Sequence, residues 1–176
     1  MKIGIDVSQL AYPNTGVANY LQNLVQNLIE ADKKNEYVLF FSSLRKKLQT
    51  SNFKFKNSNV QIKTFKIPPT ILNILWNKLH VLPIENLIGS VDLFITSDWT
   101  EPPVKKGKKA TILYDLIVYK YPKETARKIV DVQKRKLKWA KKETAMFLCI
   151  SEATKKDAKE ILGIEDSRLS VVYPGF

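Results

Sequence analysis

The chain of 176 residues is poor in the residue types from which many sites are built. A single cysteine, Cys149, excludes an internal disulfide, and in the apolar run AMFLCI a small thiol packs as a hydrophobe. A single histidine, His80, leaves too few ligands for a zinc site, so no metal is expected. Among six glycines there is no dinucleotide-binding fingerprint. No apolar stretch approaches the roughly 20 residues that cross a bilayer, and MKIGIDV enters a strand pattern with no secretory apolar region before it. Acidic residues are scarce as well: 17 Asp and Glu against 29 Lys and Arg give a formal charge of +12. The expectation is a cytoplasmic protein with anionic partners: a phosphorylated substrate, a nucleic acid or the inner face of a membrane.

What is present is alternation. KIGIDV reads as a first strand, and the turn-rich SQLAYPNTG leads into the helix VANYLQNLVQNLIEA. In that helix Val17, Leu21, Leu24, Val25, Leu28 and Ile29 recur at three- and four-residue steps, opposite an Asn- and Gln-rich face. YVLFF (37–41) and VQIKTF (60–65) are further strands, the second alternating like an edge strand; a short helix and a loop are expected between them. Pro68 and Pro69 break the chain before the helix candidates TILNILWNKLH and IENLIG. The strands VDLFITS, ATILYD, AMFLCI and LSVVY follow, with a long helix expected over about 123–142. Ser151 is placed to cap EATKKDAKEIL, and Gly163 to end it. Strands separated by helices predict an α/β fold, a Rossmann-like three-layer sandwich with a mostly parallel sheet, forming one domain over 1–176.

In such a sheet ligands bind at the carboxyl ends of the strands. That edge would gather the turn Asn14-Thr15-Gly16 after the first strand, Asp98-Trp99 after VDLFITS, Tyr114-Asp115 after ATIL, and Ser151 after FLCI. Glycine permits close backbone approach, and the following helix start offers unpaired N–H groups to an anion. Each group also has a plain structural role: a tight turn at Asn14–Gly16, a helix cap at Ser151, loop N–H groups satisfied by Asp115, a sheet edge sealed by Trp99.

In order, IGIDVSQLAYPNTGVANY, VDLFITSDWTEPP, TILYDLIVYKYP, FLCISEATKKDAKEILGI and LSVVYPGF resemble the N-terminal half of the group 1 (family 4) glycosyltransferases of GT-B fold, in particular the mannosyltransferase-like branch. The resemblance implies two Rossmann-like domains facing a cleft, the first receiving the acceptor. The second binds the nucleotide-sugar and carries a basic pair and an E-x7-E pair of carboxylates. It also implies transfer with retention, no metal and no cofactor beyond the nucleotide-sugar substrate. Carried over by position, the turn around Gly16 faces donor phosphates or acceptor, Ser151 opens the SE-x-T helix, and Tyr173-Pro174-Gly175 approaches the interdomain hinge.

The sequence departs from that pattern twice. Tyr114-Asp115 stands where the family commonly has His-Asp, and a phenol can donate a hydrogen bond but cannot act as a cation at neutral pH. These two residues are the catalytic candidates; Asn14, Thr15, Gly16, Asp98, Trp99 and Ser151 are the substrate-binding ones. The C-terminal donor-binding domain is not among the 176 residues, so this chain is expected to be inactive alone.

Much of the excess charge lies in KYPKETARKIVDVQKRKLKWAKKE. With Ile129, Val130, Gln133, Leu137 and Ala140 toward the sheet, Lys134, Arg135, Lys138, Lys141 and Lys142 spread outward with Trp139 among them. This is either a solvated helix face or a contact with anionic lipid. No helix-turn-helix, zinc finger or aromatic RNA-binding motif accompanies the charge, which argues against nucleic acid. The resemblance therefore implies the acceptor-side domain of a retaining glycosyltransferase that transfers a hexose, of mannose or glucose type, from a nucleotide-sugar to a polysaccharide or lipid-linked acceptor. The alternative is a non-catalytic module that docks on an anionic membrane or a partner chain.

Overall fold

The computed structural model describes residues 1–49, 59–97 and 99–175, and it joins the apolar runs into one sheet. Its strands are β1 (Lys2–Asp6), β2 (Glu36–Ser42), β3 (Val60–Phe65), β4 (Leu93–Thr96), β5 (Lys108–Leu113), β6 (Met146–Cys149) and β7 (Leu169–Val171). They pair in the order β3-β2-β1-β4-β5-β6-β7, every neighbour parallel. Parallel neighbours need crossover connections, and helices supply most of them. These are α1 (Gly16–Ala31), α2 (Pro69–Leu72), α3 (Glu85–Ile88), α4 (Ile117–Lys120), α5 (Arg127–Glu143) and α6 (Glu152–Leu162). Helix α2 runs on into a π-helical turn, Asn73–Lys78. The architecture is the Rossmann-like α/β sandwich that the alternation predicts, with half-exposed β3 at one edge.

Successive strand residues point to opposite faces, so each strand serves two cores. On one face Ile3, Ile5, Tyr37, Leu39, Phe41, Ile95 and Ile112 pack against Leu21, Val25 and Ile29 of α1. On the other, Val38, Phe40 and Phe94 meet Leu72, Trp76, Ile84 and Ile88, while Leu113, Phe147 and Cys149 meet Leu137, Ala140, Ala158 and Leu162. Gly4 keeps the centre of this second face thin: a Cβ there would lie 2.6 Å from the Phe94 ring.

Helix ends follow local chemistry. Thr15 Oγ1 accepts from Ala18 N at 3.2 Å to start α1, and Ser151 Oγ accepts from Thr154 N at 3.1 Å to start α6. Gly163 ends α6 in the left-handed region, φ 63°. Two expectations change. Residues 43–49 form no helix, and 50–58 of the same connection lie outside the described residues. The long helix starts at Arg127, later than expected, because residues 122–124 form a turn in which Glu124 N and the Thr125 hydroxyl donate to Tyr121 O. The buried stripe of α5 is also rotated. Val130, Val132, Lys136, Leu137 and Ala140 are buried, whereas Ile129 is exposed and Gln133 only half-buried.

No helix among the described residues is long and apolar enough to cross a membrane.

Candidate functional site

In a doubly wound sheet the crevice opens where the strand order reverses, here outside the carboxyl ends of β1 and β4. A cavity of about 580 Å³ lies there. Asp6 ends β1 and lines it, and the β1–α1 connection adds Ser8, Gln9, Tyr12 and Thr15. Ser42 and Ser43 come from the end of β2, and Thr70, Leu72 and Asn73 from α2 and the π turn. The loop after β4 gives Trp99 and Thr100, and α5 gives Lys128, Ile129 and Val132.

Asp6 is only 4% exposed, and its Oδ1 accepts from Ser8 N at 2.9 Å. Burial pushes its carboxyl above the ordinary range; the Ser8 hydrogen bonds and the Lys136 charge pull the other way, and Glu101 adds to the rise. Lys136, 2% exposed, reaches in from α5, and its ammonium donates to the Ser97 carbonyl oxygen just past β4. A lysine this deep is rare without partners.

Behind the cavity wall the polar seam continues. Glu101 is fully buried, and its carboxylate accepts from Thr96 at 2.9 Å and from the Thr111 and Thr144 hydroxyls. Lys109 Nζ lies 3.2 Å from Glu101 and 2.9 Å from Glu143. Burial raises the Glu143 carboxyl, but Lys109 and His80 together outweigh it and hold it below its usual range. Asn77 of the π turn donates to Trp99 O and accepts from Glu101 N, so the loop bearing Trp99 and Thr100 is tied at both ends.

The sequence-derived candidates fall around this cavity in different ways. Thr15 and Trp99 line it. Asn14 adopts the left-handed conformation of the turn, φ 68°, and borders a smaller pocket of about 90 Å³. Gly16 has open space on its side-chain side: a Cβ would meet nothing within 4 Å, so packing does not require a glycine there. Asp98 lies outside the described residues. Tyr114 is not at the lip: its ring packs edge-on against Tyr20 at 5.6 Å, and its hydroxyl shares a hydrogen bond with Ser97 Oγ at 3.1 Å. Asp115 is exposed, and its Oδ1 accepts from Ile117 N at 3.0 Å, closing the start of α4. Ser151 caps α6, whose Thr154 hydroxyl donates to the Tyr114 carbonyl at 3.0 Å. The described candidates share the carboxyl edge of the sheet, but Tyr114, Asp115 and Ser151 belong to its β5–β6 side, away from the cavity lining.

On α5, Lys134, Lys138, Lys141 and Lys142 are exposed and Arg135 is half-buried. The Trp139 indole is engaged within the protein. Its Nε1 donates to Asn77 O at 3.0 Å, and its ring stacks on His80 at 3.7 Å. Among the described residues no group of three or more His, Cys, Asp or Glu could hold a metal ion.

Sequence reasoning passed over Asp6, Lys136 and Glu101. The signal for Lys136 was its place in the series Val132, Lys136, Ala140, four residues apart on one helix face. Chemically, the cavity combines a buried carboxylate, serine and threonine hydroxyls and two aromatic rings, a set that satisfies a ligand rich in hydroxyl groups. Neither a protein-family model nor a curated protein matches the chain.

Proposed function

We propose that the chain is the acceptor-side domain of a retaining glycosyltransferase. In this reading it presents a polysaccharide or lipid-linked acceptor to a hexose, of mannose or glucose type, carried by a nucleotide-sugar on a second domain. The observation that carries the reading is Asp6, a buried carboxylate facing a cavity of about 580 Å³ at the β1/β4 crevice, with Trp99 and Tyr12 among the lining. A carboxylate accepts hydrogen bonds from sugar hydroxyls, and an aromatic face covers the apolar side of a sugar ring. The ordered motifs that resemble family 4 enzymes support the same assignment.

Under this reading Asp6 orients the acceptor, and Lys136 keeps an ammonium within electrostatic reach of that carboxylate. Tyr114 acts through Ser97, which it touches, rather than on the transferred sugar. Asp115 remains a group at the neighbouring strand end.

The test begins with the chain itself, titrated with methyl mannoside and methyl glucoside and followed by tryptophan fluorescence. Saturable binding that Asp6→Asn weakens about tenfold, ~1.4 kcal/mol, is expected. Assayed with a donor-binding domain from the same reading frame, labelled GDP- or UDP-hexose should yield a product of retained configuration. The same Asp6 variant should then raise KM for acceptor more than it lowers kcat. Absence of both glycoside binding and transfer overturns the proposal; salt-sensitive binding to anionic vesicles in their place supports the docking module.

A further inference from the structure

A surface helix ordinarily turns an apolar face to the core and a polar face to water. The segment made of α2 and the π turn has no polar face to match. Leu72 and Trp76 are buried with Val38, Phe40 and Phe94, as expected of its inner side. Its outer side carries Ile71, Ile74, Leu79 and Val81, which are between 39% and 61% exposed. Ile71 stands three residues before Ile74, the spacing of one helix face. Leu79 N donates to Ile74 O at 2.9 Å and Val81 N to Leu75 O at 2.8 Å, which folds both residues back onto the same turn. None of the four lines the cavity, whose lining on this segment is Pro69, Thr70, Leu72 and Asn73. Clustered apolar side chains left in water mark a contact with something else.

The charge around the face says what that is. From Lys66 to Ile84 there is no aspartate or glutamate, and Lys66 and Lys78 are both exposed. Helix α5 lies beside the turn: Trp139 Nε1 donates to Asn77 O, and Lys142 Nζ stands 5.5 Å from the centre of the Trp139 ring. The acids next to these elements are turned to other work. Glu85 Oε1 accepts from Lys105 N, and Glu143 is held by His80 and Lys109. An apolar strip fringed with lysines matches a surface that is anionic outside and apolar beneath, which is a bilayer containing acidic lipid. A second copy of the chain matches it poorly, because a two-fold contact would set Lys66 and Lys78 against lysines with no acid of the segment to pair them.

We infer that the protein lies on an anionic membrane through this face. Ile71, Ile74, Leu79 and Val81 enter the headgroup boundary, and Lys66, Lys78 and Lys142 meet lipid phosphates. The basic outer side of α5 is not the anchor, since its Trp139 ring is already stacked on His80. The inference does not rest on the acceptor reading, because none of these residues lines the cavity.

The test is cosedimentation of the chain with large vesicles of phosphatidylcholine, alone or mixed with phosphatidylglycerol. The mixed vesicles should bind it and the neutral ones retain little. Ile71→Ser combined with Ile74→Ser should weaken binding at least about tenfold, and Lys66→Gln or Lys78→Gln about fivefold each at low salt. A fluorophore placed at Leu79→Cys, the native Cys149 being buried, should shift its emission to the blue on the mixed vesicles. Circular dichroism and unchanged melting temperatures show that the variants are folded.

No binding to the mixed vesicles overturns the inference, and so does equal binding to neutral ones. Binding that Lys134→Gln with Lys141→Gln abolishes, but the isoleucine pair leaves intact, gives the lipid to the outer side of α5 and overturns it as well. Self-association abolished by the isoleucine pair, without vesicle binding, gives the face to a second copy and the inference falls. Vesicle binding through this face with no glucoside binding keeps the inference and removes the acceptor reading.

Discussion

The two faces of the sheet are built from the same strands and differ in what lies at their centres. Under α1 the buried strand residues Ile3, Ile5, Leu39, Ile95 and Ile112 are aliphatic, joined by Tyr37 and Phe41. Under α2 and α5 two apolar clusters flank a seam of Asp6, Thr96, Lys109 and Thr111 from the strands, with Glu101 and Lys136 set into it. Moving each ion out of water costs several kcal/mol, and well-packed apolar residues often do as well or better in such places. Stability alone therefore explains the α1 face but not the seam. The seam borders the cavity and ties down the loop that carries Trp99 and Thr100, which is where a binding site gains from fixed geometry.

The harshest way to break this contrast is to remove one charge from the seam. Lys109→Met leaves Glu101 buried with threonine hydroxyls but without its cation, and should cost about 3–5 kcal/mol in urea unfolding. Adding Glu101→Gln removes the stranded charge and should restore part of that loss, although Glu101→Gln alone is also destabilising. Simple additivity of the two changes would mean that they do not act as a pair.

A second substitution examines the other face. Leu21→Ala opens a void beneath α1, where Leu21 is fully buried, and should cost about 3 kcal/mol. Glucoside affinity measured well below the melting temperature should stay the same, since Leu21 itself does not line the cavity. Equal damage to binding from Leu21→Ala and from the seam variants would erase the functional distinction between the faces.

The same contrast explains what could be read in the sequence. Strand and helix periods are set by the apolar face, so the parallel sheet, the edge position of β3, the Ser151 cap and the Gly163 stop were all legible. That a cavity would open at the carboxyl edge was legible too, because strand ends follow from strand positions. Asp6 was not, since it closes an apolar strand and reads as the polar residue that ends it. Lys136 was hidden among neighbouring lysines, and only the phase of α5, one position away from the set Ile129, Val130, Gln133, distinguishes it. Glu101 was invisible for another reason: its partners Thr96, Thr111 and Thr144 come from three separate segments. Tyr114 was assigned to the ligand edge because it closes a strand, yet Tyr20 from α1 covers it.

The mildest substitution bears most directly on why the seam is kept. Burial raises the Asp6 carboxyl above its ordinary value, so the fold favours its neutral form. Below about pH 3.9, the usual aspartate value, the group is protonated in both native and unfolded chains and contributes nothing to the pH dependence. As the pH rises from there to the folded value, the unfolded chain loses its proton first and native stability falls; above the folded value the penalty is constant. Asp6→Asn removes that penalty while its side-chain oxygen can still accept from Ser8 N. Its melting temperature should therefore match wild type in acid and exceed it at neutral pH, while glucoside binding weakens. A gain in stability with a loss of binding is the mark of a carboxylate held against the interests of the fold. A lower melting temperature at neutral pH would instead make Asp6 a structural partner of Lys136, and the seam would have to be explained as part of the core.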